Sequence, residues 1–152
     1  MTPLNIAQRM EETVREYIRA CNAADASAIA VFFTPDATHY FPQHGKSTGA
    51  STIAQNFAKI VVDRGISWTV DKVVADVAHW EAVMEWTQFT KSSKQMVRGI
   101  DWLTFEPSTL RILEVRCYFA ANWPAEARQE LKDFDYAGRG YPTTFPDQTE
   151  SR

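Results

Sequence analysis

The sequence predicts an α+β fold in which three helices come first and a strongly curved antiparallel sheet follows. Apolar residues recur at helical spacing before Gly65 and alternate with polar residues from Ile66 onward. Four long alternating runs are joined by short connections, which is typical of antiparallel neighbours. One short strand-like run, ATHYF at 37–41, interrupts the helical part. Helices first and strands later indicate the α+β class, with four long strands plus one short strand.

The first helix is predicted to begin at Thr2-Pro3, because a capping residue followed by proline is typical of a helix start. It is expected to end near Asn22. Its apolar stripe consists of residues spaced three or four apart, namely Ile6, Met10, Val14, Tyr17, Ile18 and Cys21. This spacing predicts that one face of the helix packs against the sheet.

A short second helix is expected after Asp25, whose carboxylate can cap it. Its apolar side would consist of Ile29, Phe32 and Phe33. The turn-forming residues Thr34-Pro35-Asp36 are expected to end it before the short strand begins.

A third helix is expected between the short strand and the long ones. Residues 43–49 contain Gly, Ser and Thr and are predicted to form a loop. Ser51 or Thr52 would then cap the helix, and Gly65 would stop it.

The four long strands are predicted from period-two alternation. In the first of them Ile66, Trp68 and Val70 alternate with polar residues, and the other three span 80–90, 95–106 and 110–120. A long curved sheet with helices across one face encloses a cone. The open end of such a cone is a natural pocket for a small molecule.

Composition excludes several classes of protein. The net charge of −3 and the lack of a basic run argue against a nucleic-acid surface. No apolar run approaches the roughly 20 residues that cross a membrane, and no N-terminal segment resembles a signal peptide. Cys21 and Cys117 have neither metal-ligand nor redox spacing, so they are interpreted as free thiols in a cytoplasmic protein. No cofactor and no metal site is expected.

Asp101 is the residue that breaks the apolar pattern. In VRGIDWLTFE, residues 97–106, it shares a strand face with Gly99, Leu103 and Phe105. A carboxyl on an inward face is desolvated, so its pKa should rise, and the neutral acid could donate a hydrogen bond or a proton to a substrate oxygen. The alternative is a structural acid paired with a buried polar group or with Arg98.

Three segments of the chain carry a family resemblance. VREYIRACNAADASAIAVFFTPDATHYFP (14–42), VRGIDWLTF (97–105) and ILEVRCYFAAN (112–122) resemble the opening, third long strand and final strand of ketosteroid isomerase. The chain is therefore similar to the NTF2-like superfamily, in its SnoaL-like and ketosteroid isomerase-like branch, over about residues 3–122. The resemblance implies a cone-shaped NTF2-like domain over 1–123. Residues 124–152 form a C-terminal extension, interpreted as a possible lid, a dimer arm or a mobile tail.

The same resemblance implies roles for residues of the predicted pocket. Tyr17 and Asp101 match the tyrosine and the protonated aspartic acid of the isomerase's oxyanion hole. That isomerase is the standard example of an enzyme in which an apolar site keeps a carboxylic acid neutral. Phe41 stands where the isomerase has its general base. His39 lies two residues before Phe41 on the same strand face and could replace that base. For Tyr17 the alternative is a core aromatic, and for His39 a partly buried side chain with one hydrogen bond.

Other residues are expected to contact the substrate rather than react with it. These expected substrate-binding residues are Phe41, Phe57, Met84, Trp86, Gln88, Leu103, Val115, Cys117 and Phe119. Cys117 has no adjacent base that would make it a nucleophile. Trp102 and Tyr118 fall on the opposite, outer face, which predicts either a homodimer through that face or cover by the C-terminal extension.

The expected function is a cofactor-independent enzyme that isomerises, dehydrates or cyclises a small, largely apolar substrate bearing a carbonyl or hydroxyl. Asp101 and Tyr17 would polarise an oxygen, and His39 would move the proton. Two alternatives remain open. One is epoxide hydrolysis by Asp101 with His39, and the other is a small-molecule-binding module without chemistry.

Overall fold

The computed structural model describes residues 5–42, 44–121 and 130–143, and it confirms the α+β class. Three helices and six strands follow one another along the chain. In order they are α1 (Ile6–Asn22), α2 (Ala26–Ala30), β1 (Phe33–Phe41), β2 (Gly45–Thr48), α3 (Ala50–Arg64), β3 (Ile66–Asp76), β4 (Glu81–Thr90), β5 (Gln95–Phe105) and β6 (Ile112–Phe119). None of these three helices is long and apolar enough to span a membrane.

Local capping defines the first two helices. Asn5 caps α1 by accepting from the Gln8 backbone N–H at 2.9 Å, and the Gln8 side chain accepts from the Asn5 N–H in return. The start predicted at Thr2-Pro3 lies outside the described residues. Asp25 caps α2 as predicted, accepting from Ala28 N–H at 3.0 Å.

The turn predicted at Thr34-Pro35-Asp36 is wrong, because these residues belong to β1, which begins at Phe33. Proline is tolerated there because β1 is irregular at this point. Its pairing with β6 shifts register between Phe33 and Thr38, and its pairing with β2 begins only at Thr38. Pro35 therefore has no partner strand that requires a backbone N–H from it.

The loop predicted over 43–49 is also wrong in part, because Gly45–Thr48 form β2, which pairs antiparallel with the end of β1. The sheet consequently has six strands rather than five. The cap of α3 is Gly49, not Ser51 or Thr52. With φ at 95°, Gly49 adopts a conformation that favours glycine, and the chain turns there directly from β2 into the helix.

The six strands form one curved, open sheet in the order β2-β1-β6-β5-β4-β3. The four long strands, β3 to β6, are antiparallel neighbours as predicted, whereas β1 runs parallel to β6. The helices lie against the inner face, and the core between them is continuous. Its fully buried members include Met10, Val14, Met84, Leu103 and Val115.

The described part of the C-terminal extension, residues 130–143, packs on the outer face of the sheet. Phe134 makes an edge contact with Tyr40 at 5.2 Å between ring centroids, and Leu131 completes this small apolar cluster. Arg139 donates to both carboxylate oxygens of Glu114 on β6, at 3.0 and 2.6 Å. This segment therefore covers the β1–β6 part of the outer face.

Candidate active site

A cavity of about 760 Å³ opens between the helices and the inner face of the sheet. Its walls come from α1, α3 and all six strands. Nine of the residues singled out from the sequence line it: His39, Phe41, Phe57, Met84, Trp86, Gln88, Asp101, Cys117 and Phe119. Its walls are mostly apolar, so a polar group inside it is poorly solvated.

Three residues that lie side by side on neighbouring strands form the floor of this cavity. Asp101 pairs with Met84 on β4 and with Cys117 on β6, and all three line the cavity. Leu103 and Val115, paired two residues deeper, are fully buried and do not line it. Both belong to the hydrophobic core beneath the floor, and their expected contact with a substrate stays a prediction.

Asp101 is a desolvated carboxyl with a defined partner. Its side chain is 5% exposed, and Oδ1 accepts a hydrogen bond from the Trp86 indole Nε1 at 2.9 Å. Burial raises the pKa of Asp101 to about 6, although hydrogen bonds from Trp86 and the Cys117 thiol oppose the shift. The group therefore titrates close to neutral pH, as a proton-transfer group should.

An ion pair between Asp101 and Arg98 does not form. Arg98 projects from the opposite face of β5 and donates to Thr87 Oγ1 at 2.9 Å. Thr87 in turn donates to Asp71 at 2.6 Å, so Arg98 belongs to a polar network on the outer face. Asp101 thus has a carboxyl in the cavity without a cation from β5 beside it.

Gly99 permits the contact between Trp86 and Asp101. It pairs with Trp86 across β4 and β5, and the indole ring of Trp86 lies where a side chain at position 99 would be. A Cβ there would also lie 2.5 Å from the Tyr118 carbonyl oxygen. In the sequence Gly99 lies on the same strand face as Asp101. A glycine within a strand indicates that another group, here the Trp86 indole, approaches the backbone closely.

His39 is buried in the cavity wall without a polar partner. It is 1% exposed, and neither ring nitrogen has a hydrogen-bond partner in the described part of the chain. Its ring stacks on Phe41 at 4.0 Å and meets Phe57 edge-on at 5.3 Å. Burial lowers the pKa of His39 to about 3, so the imidazole is neutral at neutral pH.

Tyr17 lies behind the floor rather than on it. The side chain is fully buried among Phe32, Phe33 and Phe57, and it does not line the cavity. Its hydroxyl has no nitrogen or oxygen partner among the described residues. Burial raises the pKa of Tyr17, and the neighbouring Cys21 thiol and, after it, the Asp101 carboxyl add to the shift.

The sequence did not single out the polar mouth of the cavity. Asn56, Ile60 and Arg64 line it from one face of α3, where each is four residues from the next. Gln95, the first residue of β5, lies on the opposite side. The four-residue spacing of these residues is visible in the sequence, but which side of the helix meets the cavity is set by tertiary packing.

Comparisons with known proteins agree with this fold and cavity. A structure from Methylobium petroleophilum PM1, described as a protein of unknown function with a cystatin-like fold, is 38% identical. That alignment has a TM-score of 0.87 and covers 95% of this chain and 97% of that one. An NTF2-like protein of unknown function from Cytophaga hutchinsonii ATCC 33406 is 14% identical, with a TM-score of 0.61 over 79% and 95% of the two chains.

A third structure is that of SalBIII, an epoxide hydrolase/cyclase-like enzyme of pyran ring formation in the polyether salinomycin. It is 21% identical with a TM-score of 0.62, and the alignment covers 74% of this chain and 92% of that one. Likeness at this identity shows the fold. No curated protein matches the sequence.

The fold is similar to that of NTF2-like proteins, as the sequence motifs implied. Residues 14–115 match the model of the SnoaL-like domain. The chain therefore belongs to the SnoaL-like family.

Proposed function

We propose that the protein is a SnoaL-like enzyme that moves a proton within a small, largely apolar substrate bearing a carbonyl or hydroxyl. The observation that carries this proposal is Asp101, a carboxyl with a pKa of about 6 at the floor of a mostly apolar cavity. A purely structural acid would be expected to have an ion-pair partner, whereas the hydrogen-bond partners of Asp101 are an indole and a thiol. The reaction needs no cofactor for this step.

Asp101 is the proton-transfer group in this proposal. At pH 7 a group with a pKa of 6 is about 90% ionised, so the carboxylate can act as a base and still regain a proton easily. The sequence had suggested His39 for this role. With a pKa of about 3, His39 is a weak base, so its role becomes that of a neutral hydrogen-bond partner.

The substrate oxygen would lie at the cavity wall beside His39, and a rotation of the imidazole would bring one of its two buried, unpartnered ring nitrogens to that oxygen. A neutral imidazole presents one N–H donor, and this donor stabilises negative charge that develops on a carbonyl oxygen. Tyr17 acts through Asp101 in this proposal, because its neutral hydroxyl lies behind the floor and near enough to that carboxyl for the two groups to interact electrostatically. It is therefore a positioning residue.

The reaction classes differ in where the proton is returned. The Asp101 carboxylate removes a proton from the carbon beside a carbonyl, and His39 stabilises the enolate oxygen. Return of the proton to another carbon is isomerisation. Return to a neighbouring hydroxyl, which leaves as water, is dehydration. In cyclisation the enolate carbon adds to an internal carbonyl, the π bond of that carbonyl breaks, and its oxygen takes the proton from Asp101. Because Phe41 stands where ketosteroid isomerase has its base, Asp101 both removes the proton and returns it in this proposal.

The proposal is tested by turnover in a metabolite extract made up in D₂O. Wild-type protein is expected to convert at least one metabolite to an isomer that separates from it by chromatography, or to a product lacking one water. The isomer carries deuterium to the extent that Asp101 exchanges its proton with D₂O before returning it. Asp101→Asn should abolish the conversion, and His39→Gln should slow it by roughly 10²-fold, since one acid–base or oxyanion group contributes about that much. Mass spectrometry of the extract before and after incubation measures the change.

Other outcomes would identify the alternatives. Gain of one water by a substrate would favour epoxide hydrolysis, for which SalBIII, an epoxide hydrolase/cyclase-like enzyme, is a structural neighbour. A metabolite that co-purifies unchanged and is never converted would contradict the enzyme proposal and establish a binding module. Equal conversion by wild type and Asp101→Asn would contradict the role given to Asp101.

We further infer a homodimer through the outer face of β3, β4 and β5, which the described part of the C-terminal extension leaves open. Exposed apolar side chains are concentrated there, namely Val74, Phe89, Met96 and Trp102. Such a patch favours a protein partner. Light scattering should show a dimer for wild type and a monomer for Met96→Glu.

The buried free thiols of Cys21 and Cys117 fit the expected cytoplasmic location.

A further inference from the structure

The mouth of the cavity carries the opposite charge to its floor. Among the described lining residues, Asp101 is the single carboxylate and Arg64 the single Lys or Arg. Arg64 is the last residue of α3 and lies on the same helix face as Asn56 and Ile60, which also line the cavity. Floor and mouth are thus separated by the apolar wall.

Arg64 has no anionic partner in the part of the chain that the structure describes. The neighbouring carboxylate, Asp63, is engaged by Lys59 at 2.5 Å. The polar lining residues on the far side of the mouth, Gln88 and Gln95, are amides without charge. Its guanidinium is therefore available to a ligand that occupies the cavity.

The turn between β4 and β5 brings further positive charge to this side of the mouth. Lys91 N–H donates to the carbonyl of Gly65, the residue after Arg64, at 3.0 Å. Lys91 Cβ lies 3.3 Å from the position of a Cβ on Gly65, and Lys94 precedes the lining residue Gln95. Arg64, which lines the cavity, and the two lysines of the adjacent turn, Lys91 and Lys94, are called the cationic rim; the net charge of the chain is −3.

We infer from this arrangement that the ligand is an amphiphile, with an apolar body and an anionic head group that binds at the cationic rim. The inference rests on the proposed role of the cavity as a ligand site, but on no reaction. Two effects set the orientation. Arg64 attracts the head group at the mouth, and ionised Asp101 repels it from the floor. The apolar end of the ligand, with its reacting carbon, is thereby directed toward Asp101.

The test compares octanoate with 1-octanol, two probes that share an apolar chain and differ in the charge of the head group. Titration at pH 7.5 is followed by ¹H–¹⁵N NMR, in which the amides of Asp101 and Phe119 report entry into the cavity. Octanoate should bind several-fold more tightly than 1-octanol. Arg64→Gln should weaken octanoate by roughly 2- to 5-fold, the worth of one exposed ion pair, and leave 1-octanol unchanged.

Arg111→Gln is the matched control, because it removes the same charge from an exposed position that does not line the cavity. It should leave the octanoate preference intact. The salt dependence should be strong for octanoate and weak for 1-octanol.

Equal affinity of the two probes for wild type would overturn the inference. So would equal weakening of both by Arg64→Gln, or octanoate binding that never shifts the cavity amides. A protein that binds octanoate in the predicted way but converts no metabolite would refute the proposed reaction and leave the amphiphile inference standing.

Discussion

Replacement of Trp86 by Phe tests the electrostatics of the site most sharply. The indole N–H of Trp86 donates to Asp101 Oδ1 at 2.9 Å, and this bond favours the ionised form of the carboxyl. Phe keeps most of the ring volume over Gly99 but removes the donor. The pKa of Asp101 should therefore rise above its value of about 6.

The size of the rise follows from the bond that is lost. A buried hydrogen bond to a charged group contributes about 1.5–3 kcal/mol, and about 1.4 kcal/mol corresponds to one pKa unit. The expected pKa in Trp86→Phe is thus higher by about one to two units. At pH 7 the carboxyl would then be mostly protonated, and a reaction that needs the carboxylate would slow.

Carbon-detected NMR of the aspartate carboxyl groups measures this pKa directly, with Asp101→Asn used to assign the signal. Trp68→Phe is the matched control, because Trp68 also lines the cavity but contacts Phe57 rather than Asp101. It should leave the pKa within a few tenths of the wild-type value. An unchanged or lower pKa in Trp86→Phe would refute the electrostatic account of the floor.

Three further predictions concern stability and packing. The pKa of Asp101 rises from 3.8 to about 6 on folding, so the free energy of unfolding falls as the pH rises from about 4 to 6. Asp101→Asn removes this ionisation and should raise the free energy of unfolding at pH 8 by up to about 3 kcal/mol. Urea denaturation measures the difference. His39 has the opposite sign, because its pKa falls on folding and the unfolded chain takes up the proton below pH 6.5. Wild type should therefore lose about 3 kcal/mol of unfolding free energy through His39 between pH 6.5 and 4, and His39→Gln should not show this loss. The same pH profile in both proteins would count against the burial of a neutral imidazole. Gly99→Ala should destabilise the fold by about 1–3 kcal/mol and displace the Trp86 indole, so the pKa of Asp101 should rise as well; a native-like pKa in this variant would contradict the close packing at Gly99.

The sequence predicted the face on which each strand residue lies, but not its depth in the cone. Alternation placed Asp101, Leu103 and Val115 correctly on the inner face, because side chains alternate strictly along a strand. Whether an inward residue meets the cavity or the filled core depends on where the helices stop, which is a tertiary property. Asp101 therefore lines the floor, while Leu103 and Val115 lie in the core beneath it.

Turn-forming residues predicted the secondary structure less well than strand alternation did. Thr34-Pro35-Asp36 has the composition of a turn, yet tertiary pairing with β6 draws the flanking residues into β1. Gly45–Thr48 has little strand propensity and is extended because β1 offers it an edge to pair with. The pKa values of Asp101 and His39 likewise depend on the burial of each group in the folded chain.

The central claim is that Asp101 exchanges a proton with the substrate inside this cavity. The most direct measurement is a crystal structure of the Asp101→Asn protein with a compound that the wild type converts. The account predicts that the reacting carbon or oxygen lies within about 3.5 Å of the side chain at position 101, with an oxygen in hydrogen-bond reach of His39. Binding of the compound with its reacting atoms at the mouth, or outside the cavity, would contradict it.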